Sequence, residues 1–192
     1  MTELEKYIHS YFGVNIDDVA KISSFFKPVT LKKGDYFLKT GRLSDRLGFV
    51  QTGIIREFVH IGEKEITKWI STKGYFVVDL ASFVFQQTAR WKIQALTDCE
   101  LYVISRKDYQ KIGEVIPRWT ELEKLFITKC FIVLEDRVLQ HLSMSAEERY
   151  HSLFSFNQEL FNQVPLQYLA SMLGMTPETL SRIRKKATSR NS

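Results

Sequence analysis

The sequence predicts an α+β protein: an N-terminal antiparallel β-roll or jelly-roll preceded by two short helices, a long helix, and a C-terminal helix-turn-helix domain without a full wing. Three observations lead there. Six of the nine glycines fall within residues 29–105, among short runs of Val, Ile, Phe, Tyr and Trp. Helical apolar spacing governs the chain before and after that stretch. The net charge of +5 resides entirely at one end.

Taken in order, Leu4, Ile8 and Phe12 and then Ile16, Val19, Ile22 and Phe26 recur at helical spacing, with Gly13 between them. This reads as two short helices, closed by Pro28. The next region carries Gly34, Gly41, Gly48, Gly53, Gly62 and Gly74 at intervals of 5 to 12 residues. Short antiparallel strands are punctuated in this way, because glycine supplies the positive φ of tight turns. Residues 53–60 and 64–70 read as a hairpin about Ile61, Gly62 and Glu63. From Arg106 the helical period returns, and Pro117 opens a long segment reaching about Leu142. Its apolar residues, from Trp119 through Phe131 and Leu134 to Val138 and Leu139, cover nearly the whole circumference. Such a helix must be buried on more than one side, and a second copy of the chain is the expected cover, with the chain's own C-terminal part as the alternative. Ser145 and Glu148 form a capping box that opens the following helix. The domains expected are 1–116, 117–143 and 144–192.

Composition narrows the class. With 192 residues and 44% hydrophobic content, the chain suits one ordinary domain or two small ones. No run approaches the roughly 20 apolar residues of a spanning helix. The opening residues lack the basic and apolar regions of a secretory signal, so a cytoplasmic location is expected. Cys99 and Cys130 form neither a metal spacing nor a disulfide framework.

The charge points to nucleic acid. Of 27 basic residues, Arg182, Arg184, Lys185, Lys186 and Arg190 follow the last acidic residue, Glu178. The preceding 178 residues balance at 22 basic and 22 acidic side chains. A basic tail on a neutral body is the footprint of a polyanion contact, although a bare basic run also suits a solvated terminus.

What precedes the tail decides between these. Pro165 suits a first helical turn, Leu166, Leu169 and Leu173 share a face, and Ala170 permits close helix approach. Gly174 ends that helix. Thr176 and Pro177 then start another as N-cap and first residue, with Leu180 and Ile183 turned to the core. Two helices joined by a glycine turn, the second polar and basic outside, form a helix-turn-helix. Glu178 and Arg182 share a face at i and i+4, suited to cytosine N4 and to guanine O6 and N7 respectively. Thr179 and Ser181 suit phosphate, Arg184, Lys185 and Lys186 neutralise backbone charge, and Thr176 at the helix start completes eight expected DNA-contact residues. In the free protein, Glu178 and Arg182 also suit a surface ion pair.

This order of parts resembles the Crp/Fnr family of transcriptional regulators. The echoes are Gly34-Asp35, Leu38 and Gly41, then Phe49-Val50-Gln51-Thr52-Gly53-Ile54-Ile55-Arg56, and Pro-Glu-Thr-Leu-Ser-Arg-Ile-Arg-Lys-Lys at 177–186. The resemblance implies a homodimer joined by helix 117–143, reading a two-fold DNA site with half-sites about 34 Å apart. It also implies contact with RNA polymerase if the protein activates. The family's nucleotide-binding members carry a Gly-Glu-Leu turn and then an Arg-Ser pair. Here the matching residues are Val78-Asp79-Leu80 and Ala89-Arg90, with Arg90 one residue out of register, a shift that reverses its face on a strand. The helix positions that would meet the base fall near Leu134 and Glu135, and leucine offers no hydrogen bond. Cyclic AMP is therefore not expected to bind in the family's usual way, and the effector is unknown. Asp79, Leu80, Thr88 and Arg90 remain as lining for another small effector, unless Asp79 and Arg90 pair or face solvent.

Two distant cysteines do not hold an iron–sulfur cluster. His9, His60, His141 and His151 show no ligand pairing, so neither haem nor another metal is expected. The roll has only His60 where a metalloenzyme needs several ligands, and no nucleophile elbow or phosphate-binding loop occurs. A non-enzymatic protein is expected. The alternative is a ligand-sensing or protein-interaction module with a cyclic-nucleotide-binding-like pocket and no sequence-specific DNA binding. The sequence ends at Ser192, six residues after Lys186, hence the expectation of no full wing.

Overall fold

The computed structural model describes residues 1–189, so Arg190 of the basic run lies outside the described residues. Two compact units are formed, Met1–Val59 with Trp69–Cys130, and His60–Lys68 with Phe131–Ser192.

The first unit opens with α1 (Glu3–Phe12) and α2 (Ile16–Ser23). Thr2 and Glu5 cap α1 reciprocally, and Asn15 caps α2, so side chains satisfy backbone N–H groups left over at each start. Among the described residues, eight strands form two four-stranded sheets: β1 (Lys27–Leu31), β8 (Cys99–Ser105), β3 (Arg46–Thr52) and β6 (Phe76–Val77) in one, and β2 (Tyr36–Leu38), β7 (Lys92–Ala95), β4 (Ile55–Ile61) and β5 (Lys64–Ser71) in the other, with residues 60–68 of β4 and β5 counted in the second unit. All registered pairs are antiparallel. Phe37, Val50, Ile55, Val77, Ile93 and Leu101 fill the roll. A second apolar cluster joins Leu4, Ile8 and Phe12 to Phe49, Ile112, Trp119 and Phe126, with the Phe12 ring stacked on Trp119 and Phe126 at 5.4 and 5.0 Å.

The glycine pattern holds with one correction. Five of the six roll glycines have positive φ, and Gly62 at +59° makes the turn of the β4–β5 hairpin. Gly48 is not a turn residue. It lies within β3, where a Cβ would meet Leu101, Val77 and Phe37 at 3.1 to 3.2 Å; packing, not backbone freedom, requires it.

The strand reading also misses α3 (Leu80–Phe85), which opens at Asp79. Arg90 precedes β7 and is not on a strand, so the expected reversal of face does not apply to it. Next come α4 (Arg106–Val115) and α5 (Trp119–Ser143). Along α5 only Trp119, Leu122 and Phe126 are buried within the chain. Ile127, Phe131, Leu134, Val138 and Leu142 are exposed.

The second unit continues with α6 (Ala146–Phe156), α7 (Leu160–Gln163), α8 (Leu166–Met172) and α9 (Pro177–Ser189). The capping box is present: Ser145 N–H donates to Glu148 at 2.7 Å and Glu148 N–H donates to the Ser145 hydroxyl at 3.3 Å. Leu160, Phe161, Leu169, Ala170, Leu173 and Leu180 form the buried side of this unit.

Candidate nucleic-acid interface and roll loop

Helices α8 and α9 are joined across Gly174, whose φ of +65° lets the chain reverse at once. Pro165 is the residue before α8 rather than within its first turn. Thr176 opens α9: its Oγ1 accepts from Thr179 N–H at 3.2 Å. Leu180 is fully buried, which fixes the rotation of α9 about its axis.

That rotation separates the eight residues singled out for DNA. Glu178, Arg182 and Lys185 are exposed on one face, with Ser181 half-buried beside them. The Glu178 carboxyl is held below the usual carboxylate range by its own backbone N–H and by the Thr176 hydroxyl, so near neutral pH it accepts hydrogen bonds and donates none. Arg182 Nη2 donates to Thr179 Oγ1 at 3.5 Å, and among the described residues no ion pair joins it to Glu178. Arg184 turns inward, its guanidinium 6.0 Å from the Phe161 ring. Lys186 pairs with Glu147 of α6 at 2.8 Å.

Sequence reasoning missed the residues that mount these helices. Carbonyl groups at the end of α8 lack intrahelical partners, and two arginines supply donors. Arg137 Nη2 donates to Met172 C=O at 3.0 Å, and Arg149 Nε to Leu173 C=O at 2.9 Å. Arg149 also donates to Met144 C=O at 2.6 Å. The available signal was an arginine, Arg137, inside a long helix rich in apolar residues.

In the roll, the four residues considered for an effector differ in burial and partners. Asp79 is buried, and its carboxylate accepts from three backbone N–H groups: Ser82 at 3.1 Å, Arg90 at 3.0 Å and Trp91 at 3.3 Å. Leu80 and Thr88 are exposed. The Arg90 side chain is exposed beside the Trp91 ring at 5.9 Å. Asp79 and Arg90 thus meet through the Arg90 backbone, not as a side-chain pair. Two charged residues unremarked as such in the sequence, Arg56 and Glu57, are buried in β4, with the Arg56 guanidinium 4.1 Å from the Phe58 ring. Among the described residues no three His, Cys, Asp or Glu side chains gather to hold a metal ion, and no helix is long and apolar enough to cross a membrane.

A two-sheet roll followed by a helical C-terminal region defines a class of architecture, and comparison with known proteins specifies it. Residues 28–114 match the family model of the cyclic nucleotide-binding domain. No curated protein matches the chain by sequence. Among solved structures, the chain is similar to the c-di-GMP responsive global regulator CLP of Xanthomonas campestris, with TM-score 0.67, 15% identity, and 92% of this chain and 93% of that one covered. It is also similar to FixK2 of Bradyrhizobium japonicum, with TM-score 0.71, 14% identity and 86% of each chain covered. The catabolite activator protein of Thermus thermophilus gives TM-score 0.58 and 20% identity over 96% of this chain and 88% of that one. The shared property is the fold, a cyclic-nucleotide-binding-type roll with a helical C-terminal region.

A cyclic nucleotide is the ligand this roll type implies. At the turn that matches the family's Gly-Glu-Leu, the Asp79 carboxylate already accepts from the Arg90 and Trp91 amides.

Proposed function

We propose that the protein is a sequence-specific DNA-binding transcriptional regulator of the Crp/Fnr type, acting in the cytoplasm as a homodimer through α5. The observation that carries this reading is the mounting of α9. One face is anchored by Leu180, while Glu178, Arg182 and Lys185 stand exposed on another. A helix presented in this way enters a major groove with its N-terminal residues at base edges. Arg182 reads guanine, Glu178 accepts from cytosine, and Thr179 and Ser181 contact phosphate. Thr176 organises the start of the helix. Lys185 neutralises backbone charge directly, whereas Lys186 must first leave Glu147, a surface pair worth at most about 1 kcal/mol. Arg184 supports the helix from within its own unit. If the regulator activates, RNA polymerase is its further partner.

Selection of bound duplexes from a random pool by the ligand-free protein tests this reading. Enrichment of a palindromic site is the expected result. Recovery of no motif, with only salt-sensitive bulk binding, would favour the ligand-sensing or protein-interaction reading. On the selected site, Arg182→Ala is expected to cost about 1–3 kcal/mol and relax one base position. Equal weakening on every sequence, measured by competition binding, would remove Arg182 from readout.

In this reading the roll is not controlled by cyclic AMP in the usual way, because Asp79 occupies the Arg90 and Trp91 amides. Calorimetry is expected to detect no cyclic AMP binding tighter than ~10 μM; a tighter constant would refute this.

A further inference from the structure

Strand β5 lies at the end of its sheet, and such an edge presents backbone groups with no strand to pair them. Glu65 C=O and Thr67 N–H, two residues apart, point to the same edge. Within the second unit both meet one side chain of α8: the Ser171 hydroxyl accepts from Thr67 N–H at 2.9 Å and donates to Glu65 C=O at 3.2 Å. A single hydroxyl thus does the work of a partner strand. Beside it, the Arg137 guanidinium donates to Lys68 C=O through Nη1 and to Met172 C=O through Nη2. Thr67 is buried and Ser171 half-buried, so water does not readily replace these bonds.

We infer that Ser171 and Arg137 are positioning residues that latch α8 to the hairpin tip 60–68, and that this latch sets where α9 stands for reading DNA. The inference rests on the DNA-binding reading and adds to it a point of control. α8 and α9 are packed together around Leu169 and Leu180, so a shift of α8 carries α9 with it. Base readout tolerates little displacement, while bulk phosphate attraction tolerates much. The latch therefore governs specificity more than total affinity. Any event that moves the hairpin tip acts on DNA reading through these two side chains.

The experiment compares the full chain with Ser171→Ala, Arg137→Gln and the conservative Ser171→Thr. Hydrogen exchange is read at the Thr67 amide and at the Ile93 amide in the roll. Ser171→Ala is expected to speed Thr67 exchange about tenfold and leave Ile93 unchanged, with Ser171→Thr restoring protection. Unchanged Thr67 exchange would overturn the latch. The ratio of specific to non-specific DNA affinity is expected to fall about tenfold in Ser171→Ala and Arg137→Gln, with the salt dependence unaltered. A wild-type ratio in both variants would overturn the positioning role even if exchange had changed. Failure of the wild-type protein to select any site would instead overturn the DNA-binding reading, while the exchange arm still decides whether the latch exists.

Discussion

Leu134→Glu is expected to yield a folded monomer that no longer holds its DNA site as a pair of half-sites. Leu134 stands 53% exposed on α5, and Ile127, Phe131, Val138 and Leu142 are 41–82% exposed on the same side of the helix. Their spacing of four, three, four and four residues makes one stripe along the helix. A contiguous apolar stripe of this length on an exposed helix face marks an interaction site. Covering the exposed part of each such side chain contributes about 1 kcal/mol, enough in sum over two copies to hold them together against the entropy of association. A glutamate in the centre of the stripe places two carboxylates against apolar surface in the dimer, a change worth on the order of 10³-fold in dimer dissociation. Because Leu134 is exposed within the chain, the fold itself has little to lose. Sedimentation should show a dimer for the parent and a monomer for the variant at micromolar concentration, with unchanged circular dichroism. Operator affinity should then fall by about 10²–10⁴, the avidity of two linked half-sites. A parent protein that sediments as a monomer would end the homodimer proposal.

Asp79→Ala is expected to destabilise the roll by about 3–5 kcal/mol, because it strips the acceptor from three backbone N–H groups at once. The carboxylate is 4% exposed and ties the start of α3 to residues 90 and 91. Asp79→Asn keeps one oxygen acceptor and should lose about half as much. Denaturant unfolding followed through the roll tests both, and near-equal stability of all three proteins would contradict the role assigned to Asp79. Asp79 is thus a brace within its own loop.

Much of the fold was legible because the relevant signals are local. Gly13 and Gly174 mark helix ends, Ser145 and Glu148 announce a capping box, and the turn residues Ile61, Gly62 and Glu63 give the β4–β5 hairpin. Each depends on a few neighbouring residues and on backbone preferences that tertiary contacts reinforce. Helix α3 was hidden because its six residues, Leu80–Phe85, apolar apart from Ser82, fit a buried strand as well as a short helix. What tipped it was the Asp79 cap. Gly48 was misread because a glycine required by packing is indistinguishable in sequence from one required by a turn.

The candidate interface was legible only in part. Charge asymmetry and the order Thr176-Pro177-Glu178 point to α9, but they cannot divide its cations. The rotation imposed by Leu180 does so, sending Arg182 and Lys185 outward, Arg184 toward Phe161 and Lys186 toward Glu147. By itself, then, the sequence determined the kind of protein: helices, roll, long helix and basic C-terminal helix pair, all written in periodicity, turn residues and charge. Only tertiary structure decided that Asp79 braces its own loop and that Ser171 and Arg137 hold α8 to the hairpin. Those bonds join backbone groups to side chains up to 106 residues apart. A backbone carbonyl or amide carries no mark in the sequence, so its distant partner emerges only when the chain has folded.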